Sequence, residues 1–367
     1  MGHLHEQGQY LSAHAAHATS ITCRPDRTAY SATLNGNALL LQPVNGVENS
    51  RWQLGQQRDG LTLEWMGSDA EKPKLVEVLA AIEAAFVSFP VADKLNLLAP
   101  FDQAEELLRS GLLLCDRSGQ ATVNIELFWQ QPRMWLVPPQ SYAFPVTYVL
   151  SEGRRHPLRP PKPAGTVYQR HIEWLGRTLS FRTVDLHRDL ERFNRWMNDP
   201  VVAASWREEG DLAKHQAYLE AISADPHVTT LIASLDDEAF GYFEVYWAKE
   251  DRIAPFYDVD DFDRGWHVLI GEARFRGKPF VTAWLPSISH YLFLDDCRTQ
   301  RVVIEPRTNN YKMIRNLAKC GYANLKEFDF PHKRAMLGML LRERFFAERL
   351  WVPRDVIATS CSASSLS

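Results

Sequence analysis

Residues 261–280 read DFDRGWHVLIGEARFRGKPF. A polar turn leads into a short apolar strand, Trp266 to Ile270, with one histidine, His267, inside it. Two arginines, a glycine and a lysine follow, and then a run that reads as a helix, FVTAWLPSISHYLFLD. Strand, basic glycine loop and helix make an anion-binding arrangement, because the first N–H groups of a helix lack partners and its dipole favours negative charge there. Gly277 lets the main chain approach a ligand closely. Arg274, Arg276 and Lys278 add charge-assisted hydrogen bonds, and a pyrophosphate is the natural occupant. A solvated basic loop is the alternative. GxGxxG and GxxxxGK[ST] are both absent, so this is neither a dinucleotide fingerprint nor a Walker loop.

His267 alternates with Trp266 and Val268 and therefore points to the opposite sheet face. A lone strand histidine is more often a satisfied core residue than a catalyst. Two neighbours point the other way: the anion loop, on the order of 13 Å along the strand, and Glu305, which ends the strand VVIEP in the same domain.

Working outward, the flanking elements follow the order β-α-α-β-β-β-α-β-α-β. RTLSFRTV is a strand, and DLHRDLERFNRWMNDP is a helix stopped before Pro200. DLAKHQAYLEAISADP is a second helix, and VTTLIASLD and EAFGYFEVYWA form a hairpin across Asp236-Asp237. NNYKMIRNLAKCGY is a capped helix ending at Gly321. Upstream, RRHPLRPPKPAG (154–165) holds four prolines and reads as a semi-rigid linker. Residues 1–153 then form a smaller α+β domain. It has short strands over 27–65, a helix apolar nearly all round at 74–89, a helix at 101–114 capped by Asp102, and a strand at 121–129. It carries no chemical signature and reads as a packing or dimerisation domain. The second domain spans 166–355, and the tail 356–367 reads as disordered.

Composition bounds the partners. The 367 residues carry 41 basic and 45 acidic groups, a net charge of −4, so no global basic excess advertises nucleic acid. No apolar run is long enough to span a membrane. Cys23, Cys115, Cys297, Cys320 and Cys361 are scattered without a CxxC, which fits a reduced, cytoplasmic setting. His3, His5, His14 and His17 cluster at the start without accompanying cysteine or carboxylate ligands, so a frayed terminus is expected and no metal site.

The element order, with ARFRGKPF between strand and helix, resembles the GNAT acyltransferase fold: a mixed twisted sheet flanked by helices. Arg274, Gly277 and Pro279 take the first, fourth and sixth places of the family's pyrophosphate loop, and Pro279 departs from it by lacking an N–H. RWMNDPVVAASW, GYFEVYWAKEDRIAPFYDVDDFDRGWHVLIG, SHYLFLDDCRTQRVVIEPRTNN and EFDFPHKRAMLGMLLRERFF resemble the siderophore-biosynthetic branch, over roughly residues 178–348.

That resemblance implies acyl transfer from acetyl-CoA, or succinyl-CoA, to the nitrogen of an N-hydroxylated lysine or diamine, giving a hydroxamate. It implies His267 and Glu305 as the catalytic pair, with His267 accepting the proton and Glu305 orienting it. The family often has aspartate at the Glu305 position. Backbone groups of Val268, Leu269 and Ile270 would meet the thioester. Asn309 and Tyr311 fall where the family contacts coenzyme A, and Asn309 also suits a helix N-cap. Trp206, Glu244, Tyr246, Trp247 and Asp251 are candidates for the amine, an acid beside aromatics suiting a cationic tail. For a succinyl tail, Arg252 or Arg307 would serve. His332 also stands at a family-typical position. Implied partners are an amine N-hydroxylase and a siderophore synthetase, and a homodimer is open. Aminoglycoside or polyamine N-acetylation, and a non-catalytic coenzyme A-binding module, are the competing readings.

Overall fold

The computed structural model describes residues 19–354 apart from 47, 58–59, 68–71, 100–103, 118 and 138–142. The four N-terminal histidines, Asp102, Cys361 and the tail 356–367 fall outside those residues. Contacts divide the chain into two compact units, Met1–Trp135 with Val352–Ser367, and Leu136–Trp351. Among the described residues no helix is long and apolar enough to cross a membrane.

In the first unit, β1 (Thr19–Cys23), β2 (Tyr30–Asn35), β3 (Ala38–Pro43), β4 (Ser50–Gln57) and β5 (Gly60–Trp65) form an antiparallel meander. Helix α1 (Leu75–Ser88) carries the chain across to β6 (Lys94–Leu98), which runs parallel to β5. Val78, Leu79, Ala80 and Ala81, which successive 100° steps place all round α1, are all buried, as its all-round apolar sequence predicts. Helix α2 (Ala104–Arg109) is shorter than expected, because Gly111 turns the chain at φ 72 and β7 (Leu113–Cys115) pairs with β8 (Ala121–Asn124). The expected strand 121–129 ends at Asn124 and gives way to two short turns of helix, α3 (Ile125–Phe128) and α4 (Pro132–Trp135).

The second unit opens with a hairpin of β9 (Tyr148–Ser151) and β10 (Arg154–Pro157). The proline-rich stretch read as a linker therefore lies inside this unit, and the division falls upstream of it, after Trp135. Arg159 holds it there: the guanidinium is buried and forks onto Glu250 through Nε at 2.5 Å and Nη2 at 2.6 Å.

The main sheet then begins with β11 (Thr166–Ile172) and β12 (Arg177–Thr183), followed by helices α5 (Leu186–Met197), α6 (Pro200–Trp206) and α7 (Leu212–Ala224). Helix α5 stops before Pro200 as predicted, but the same proline opens α6. Asp199 caps α6 by accepting the N–H groups of Val201 and Val202, so a third helix stands between the two expected ones. Next come β13 (Val228–Leu235) and β14 (Glu238–Trp247), joined as predicted at Asp236 and Asp237, both at positive φ. Strand β15 (Arg264–Ile270), α8 (Lys278–Asp295), β16 (Arg301–Ile304), α9 (Tyr311–Lys319), β17 (Ala323–Phe330), β18 (Lys333–Leu341) and α10 (Arg342–Ala347) complete the unit.

The two sheets share one wiring. The first runs β1-β2-β3-β4-β5-β6-β8-β7 and the second β11-β12-β13-β14-β15-β16-β18-β17. In each, the parallel pair is the fifth and sixth strands, connected through a helix. Two differences separate them. The second unit inserts α5, α6 and α7 where the first has a tight hairpin between β2 and β3. Strands β5 and β6 pair at four positions, from Leu61↔Leu95 to Glu64↔Leu98, whereas β15 and β16 pair only at Arg264↔Val302 and Gly265↔Val303 and then part. Trp266 anchors the parting strand on the α8 face: its ring lies 6.0 Å from Trp284 and its indole donates to the Tyr322 hydroxyl at 2.9 Å. That orientation sends His267 to the other face.

Candidate active site

The register of β14 against β15 sets Glu244 directly opposite His267. Nδ1 of His267 lies 3.1 Å from Glu244 Oε2, and Nε2 lies 2.8 Å from Oε1 of Glu305, which follows the last residue of β16. Both carboxylates are buried. Glu244 also accepts the hydroxyls of Tyr218 on α7, at 2.5 Å, and Tyr242, at 3.0 Å. Glu305 accepts the Tyr246 hydroxyl at 2.9 Å and has Lys333 Nζ and Arg252 Nη2 each at 3.5 Å.

These surroundings set the protonation. Burial alone would lower the His267 pKa, but the charge of Glu305 and hydrogen bonds to both carboxylates outweigh it and push it up to about 10. Burial would likewise raise Glu305, yet His267, Lys333 and Arg252 hold it well below the usual carboxylate range. Glu244 is also lowered against its burial, chiefly by His267. Two anions flanking its two nitrogens hold the imidazole toward its protonated form, which favours a proton donor over the acceptor expected from the sequence.

Trp206 closes the same side. Its indole donates to the Val268 carbonyl at 3.2 Å, and its ring stands edge-on to His267 at 6.5 Å. Tyr246 lies 5.0 Å from the imidazole, ring to ring. Val268, Leu269 and Ile270 fall where β15 has left β16, and there the carbonyls of Val268 and Ile270 accept from Trp206 and Arg276 instead of from a strand.

The anion loop differs in detail from its expectation. Gly277 caps α8 at φ 121 and ψ 176, a conformation reserved in practice for glycine, and a Cβ placed there would meet nothing within 4 Å. The open space beside unpaired helix N–H groups fits a diphosphate. Lys278 begins the helix. The arginines, however, are engaged with protein. Arg276 donates to the carbonyls of Ile270 and Gly271 at 2.9 and 3.1 Å and pairs with Asp199 at 3.0 Å. Arg274 pairs with Glu238 at 2.9 Å.

Several expected residues are not brought to His267. Trp247 lies on the opposite face, packed under the guanidinium groups of Arg264 at 3.9 Å and Arg159 at 4.3 Å. Asp251 accepts the Ile253 N–H and stands 3.6 Å from His227. Asn309 is exposed, and the N-cap of α9 is its neighbour Asn310, whose side chain accepts the Met313 N–H. Tyr311 is 76% exposed at the start of that helix. His332 stacks on Phe330 at 5.5 Å in the β17–β18 turn. Glu244 is not available to a cationic tail in the way expected, since His267 and two tyrosines occupy it.

A strand pair parting beside a glycine-capped helix, with charged residues facing the gap, is the layout of a GNAT acyltransferase, and the model of the acetyltransferase (GNAT) domain matches residues 185–330. The chain is 46% identical over 227 residues to N(6)-hydroxylysine O-acetyltransferase of Escherichia coli, covering 62% of this chain and 72% of that protein. It is 40% identical over 233 residues to the hydroxyornithine transacylase SID3 of Ajellomyces capsulatus, covering 58% of this chain and 53% of that one. An N(5)-hydroxyornithine:cis-anhydromevalonyl coenzyme A-N(5)-transacylase of Beauveria bassiana is 46% identical over 196 residues, 52% of this chain and 43% of its own. The chain belongs to the GNAT acyltransferases, in the branch that holds these hydroxylysine and hydroxyornithine acyltransferases.

Proposed function

We propose that the second unit transfers an acyl group, acetyl in the first instance, from a coenzyme A thioester to the nitrogen of an N-hydroxylated amine such as N6-hydroxylysine or an N-hydroxydiamine. The product is a hydroxamate, a bidentate iron ligand. The observation that carries this reading is the His267 ring held between Glu244 and Glu305 at the point where β15 leaves β16. A hydroxylamine nitrogen is weakly basic and largely unprotonated near neutrality, so it needs little activation before it attacks. What the reaction needs is removal of one proton from that nitrogen and delivery of one to the departing sulfur.

The pair supplies both. As the C–N bond forms, the nitrogen turns cationic and strongly acidic, and its proton passes to the His267–Glu305 pair, which already holds one. As the C–S bond breaks, the thiolate takes the proton already held by His267, and Glu305 hands its own across the 2.8 Å contact. Open backbone groups of Val268 to Ile270 polarise the thioester carbonyl. The donor's diphosphate lies at the Gly277 cap. The reading places the reaction in the cytoplasm, between an amine N-hydroxylase that makes the acceptor and a siderophore synthetase that uses the product.

The test is direct. Purified protein with acetyl-CoA and an N-hydroxylated amine should give a ferric-coloured product and free thiol in equal amounts, and the non-hydroxylated amine should give far less thiol. Thiol release without ferric colour would mean that oxygen is acylated, since the colour needs a free N–OH. Equal rates with plain lysine or a diamine would overturn the assignment.

A further inference from the structure

The reaction above accounts for His267, Glu305 and Glu244 but leaves an excess of positive charge around them. Three loops bring cations to Glu305. The loop after β14 carries Arg252, the loop after β16 carries Arg307, and the β17–β18 turn leads into Lys333, the first residue of β18. Arg252 has a half-exposed side chain, and its Nη2 lies 3.5 Å from both Glu305 Oε1 and His267 Nε2. A guanidinium has five N–H donors, so most of its capacity faces outward. Among the described residues the Arg307 side chain reaches only the His332 carbonyl, at 3.4 Å. Lys333 is the inner member, with Nζ 2.6 Å from the Glu305 carbonyl. Beside them Arg207 ends α6 at φ 58, with no side-chain partner among the described residues.

The acids do not balance this. Glu244 and Glu305 stand against His267, Arg252, Arg307 and Lys333. Asp251, the next carboxylate, also faces His227, which it shares with Asp225. The crowding is felt: burial and the charge of Arg207 lower Arg307, and burial together with Arg252 and Arg307 lowers Lys333 despite its contact with Glu305. Like charges gathered at a partly buried mouth are stabilised when an anion joins them. The planar forks of Arg252 and Arg307 suit a carboxylate, which two guanidinium groups can grip from different sides.

We propose that this rim binds a carboxylate carried by one of the two reactants, with Arg252 and Arg307 as its principal donors. The proposal rests on the acyl-transfer reading and names its substrate class. The carboxylate belongs either to an amino-acid acceptor or to a dicarboxylic acyl donor, and one crossed experiment separates the two. Acetyl-CoA and succinyl-CoA are each paired with N6-hydroxylysine and with N-hydroxycadaverine, which differ only in the acceptor's carboxylate. The kcat/KM of all four combinations is measured by ferric hydroxamate.

A preference of roughly ten-fold or more, the worth of a charge-assisted hydrogen bond, is expected along one axis. It lies with hydroxylysine if the acceptor bears the anion, and with succinyl-CoA if the donor does. Arg307→Gln and Arg252→Gln should each shrink that preference, with acetyl-CoA plus N-hydroxycadaverine as the reference pair in each protein. Four combinations within about three-fold of one another, or a preference that survives both substitutions, would overturn the carboxylate rim. Hydroxamate from none of the four would remove the acyl-transfer reading itself, and the rim with it.

Discussion

Around His267, two ring nitrogens and two carboxylates set the sign of the enzyme's pH response. If His267 delivers the proton to sulfur, turnover is lost as pH rises through the region of its raised pKa, about 10. The acid limb then belongs to the substrate's nitrogen. A base mechanism through a free imidazole predicts the opposite, a rate that climbs across that region. A pH–rate profile of kcat measured at saturating substrates separates the two, and an ascending limb near the alkaline end would refute the acid role. His267→Gln should lower kcat by about two orders of magnitude, the usual worth of a positioned acid or base.

At this scale much of the site was legible. Alternation along β15 put His267 on the face away from Trp266, and the strand end marked Glu305. Glu244 was legible as a buried acid beside aromatics, but its partner was not, because the partner is fixed by cross-strand register rather than by neighbours in sequence. Tyr242 could have been found, two residues from Glu244 on the same face. Tyr218 could not, since nothing in the sequence of α7 ties that helix to β14.

Among the elements, the loop from Gly271 to Gly277 shows that side chains expected to serve a ligand can serve the protein instead. The sequence suggests arginines for phosphate. The structure turns Arg276 back onto the carbonyls of Ile270 and Gly271 and onto Asp199, the cap of α6, so that one side chain fixes the end of β15, the start of α8 and the start of α6 together. The reason is geometric: where β15 leaves β16 its final carbonyls lose strand partners, and a guanidinium supplies them. Glycine at 277 is demanded by its torsion angles rather than by lack of space, a reason the sequence only half implies.

Gly277→Ala should therefore cost about 1–3 kcal/mol in strain. Because the loop would relax away from the donor's position, a rise of roughly ten-fold in KM for acetyl-CoA is expected, with a smaller change in kcat. Steady-state kinetics and a thermal melt check this, and an unchanged KM would show that the cap does not meet the donor. The second helix of the α5–α6 pair was also within reach, since Asp-Pro at 199–200 is a helix-start signal as well as a stop.

For the whole molecule, the buried charges couple stability to pH. His267 has a folded pKa raised from 6.5 to about 10, so its contribution is complete below the unfolded value and is lost as pH climbs through the folded one. Glu305 is depressed, so its contribution is present above its ordinary value and disappears on acidification. Between pH 7 and 10 the wild-type protein should thus lose more in Tm than His267→Gln does. Parallel slopes in calorimetry at the two pH values would show that the clamp adds nothing to folding. The catalytic fold was readable because its motifs fall in sequence order on short segments. The N-terminal strand order was not, because it consists of pairings between distant residues, such as Leu61 with Leu95, that no local pattern encodes.

A chain that spells one strand arrangement twice must also avoid joining the wrong halves as it folds. Strands at equivalent places can substitute for one another in a nascent polypeptide, and such exchange is a characteristic failure of duplicated architectures. Here the divergence between the halves works against confusion: a tight hairpin in one stands where three helices stand in the other, and the fifth and sixth strands zip fully in the first and only briefly in the second. The same unfinished seam proposed above to admit a thioester is thus a mark by which the growing chain distinguishes its second half from its first.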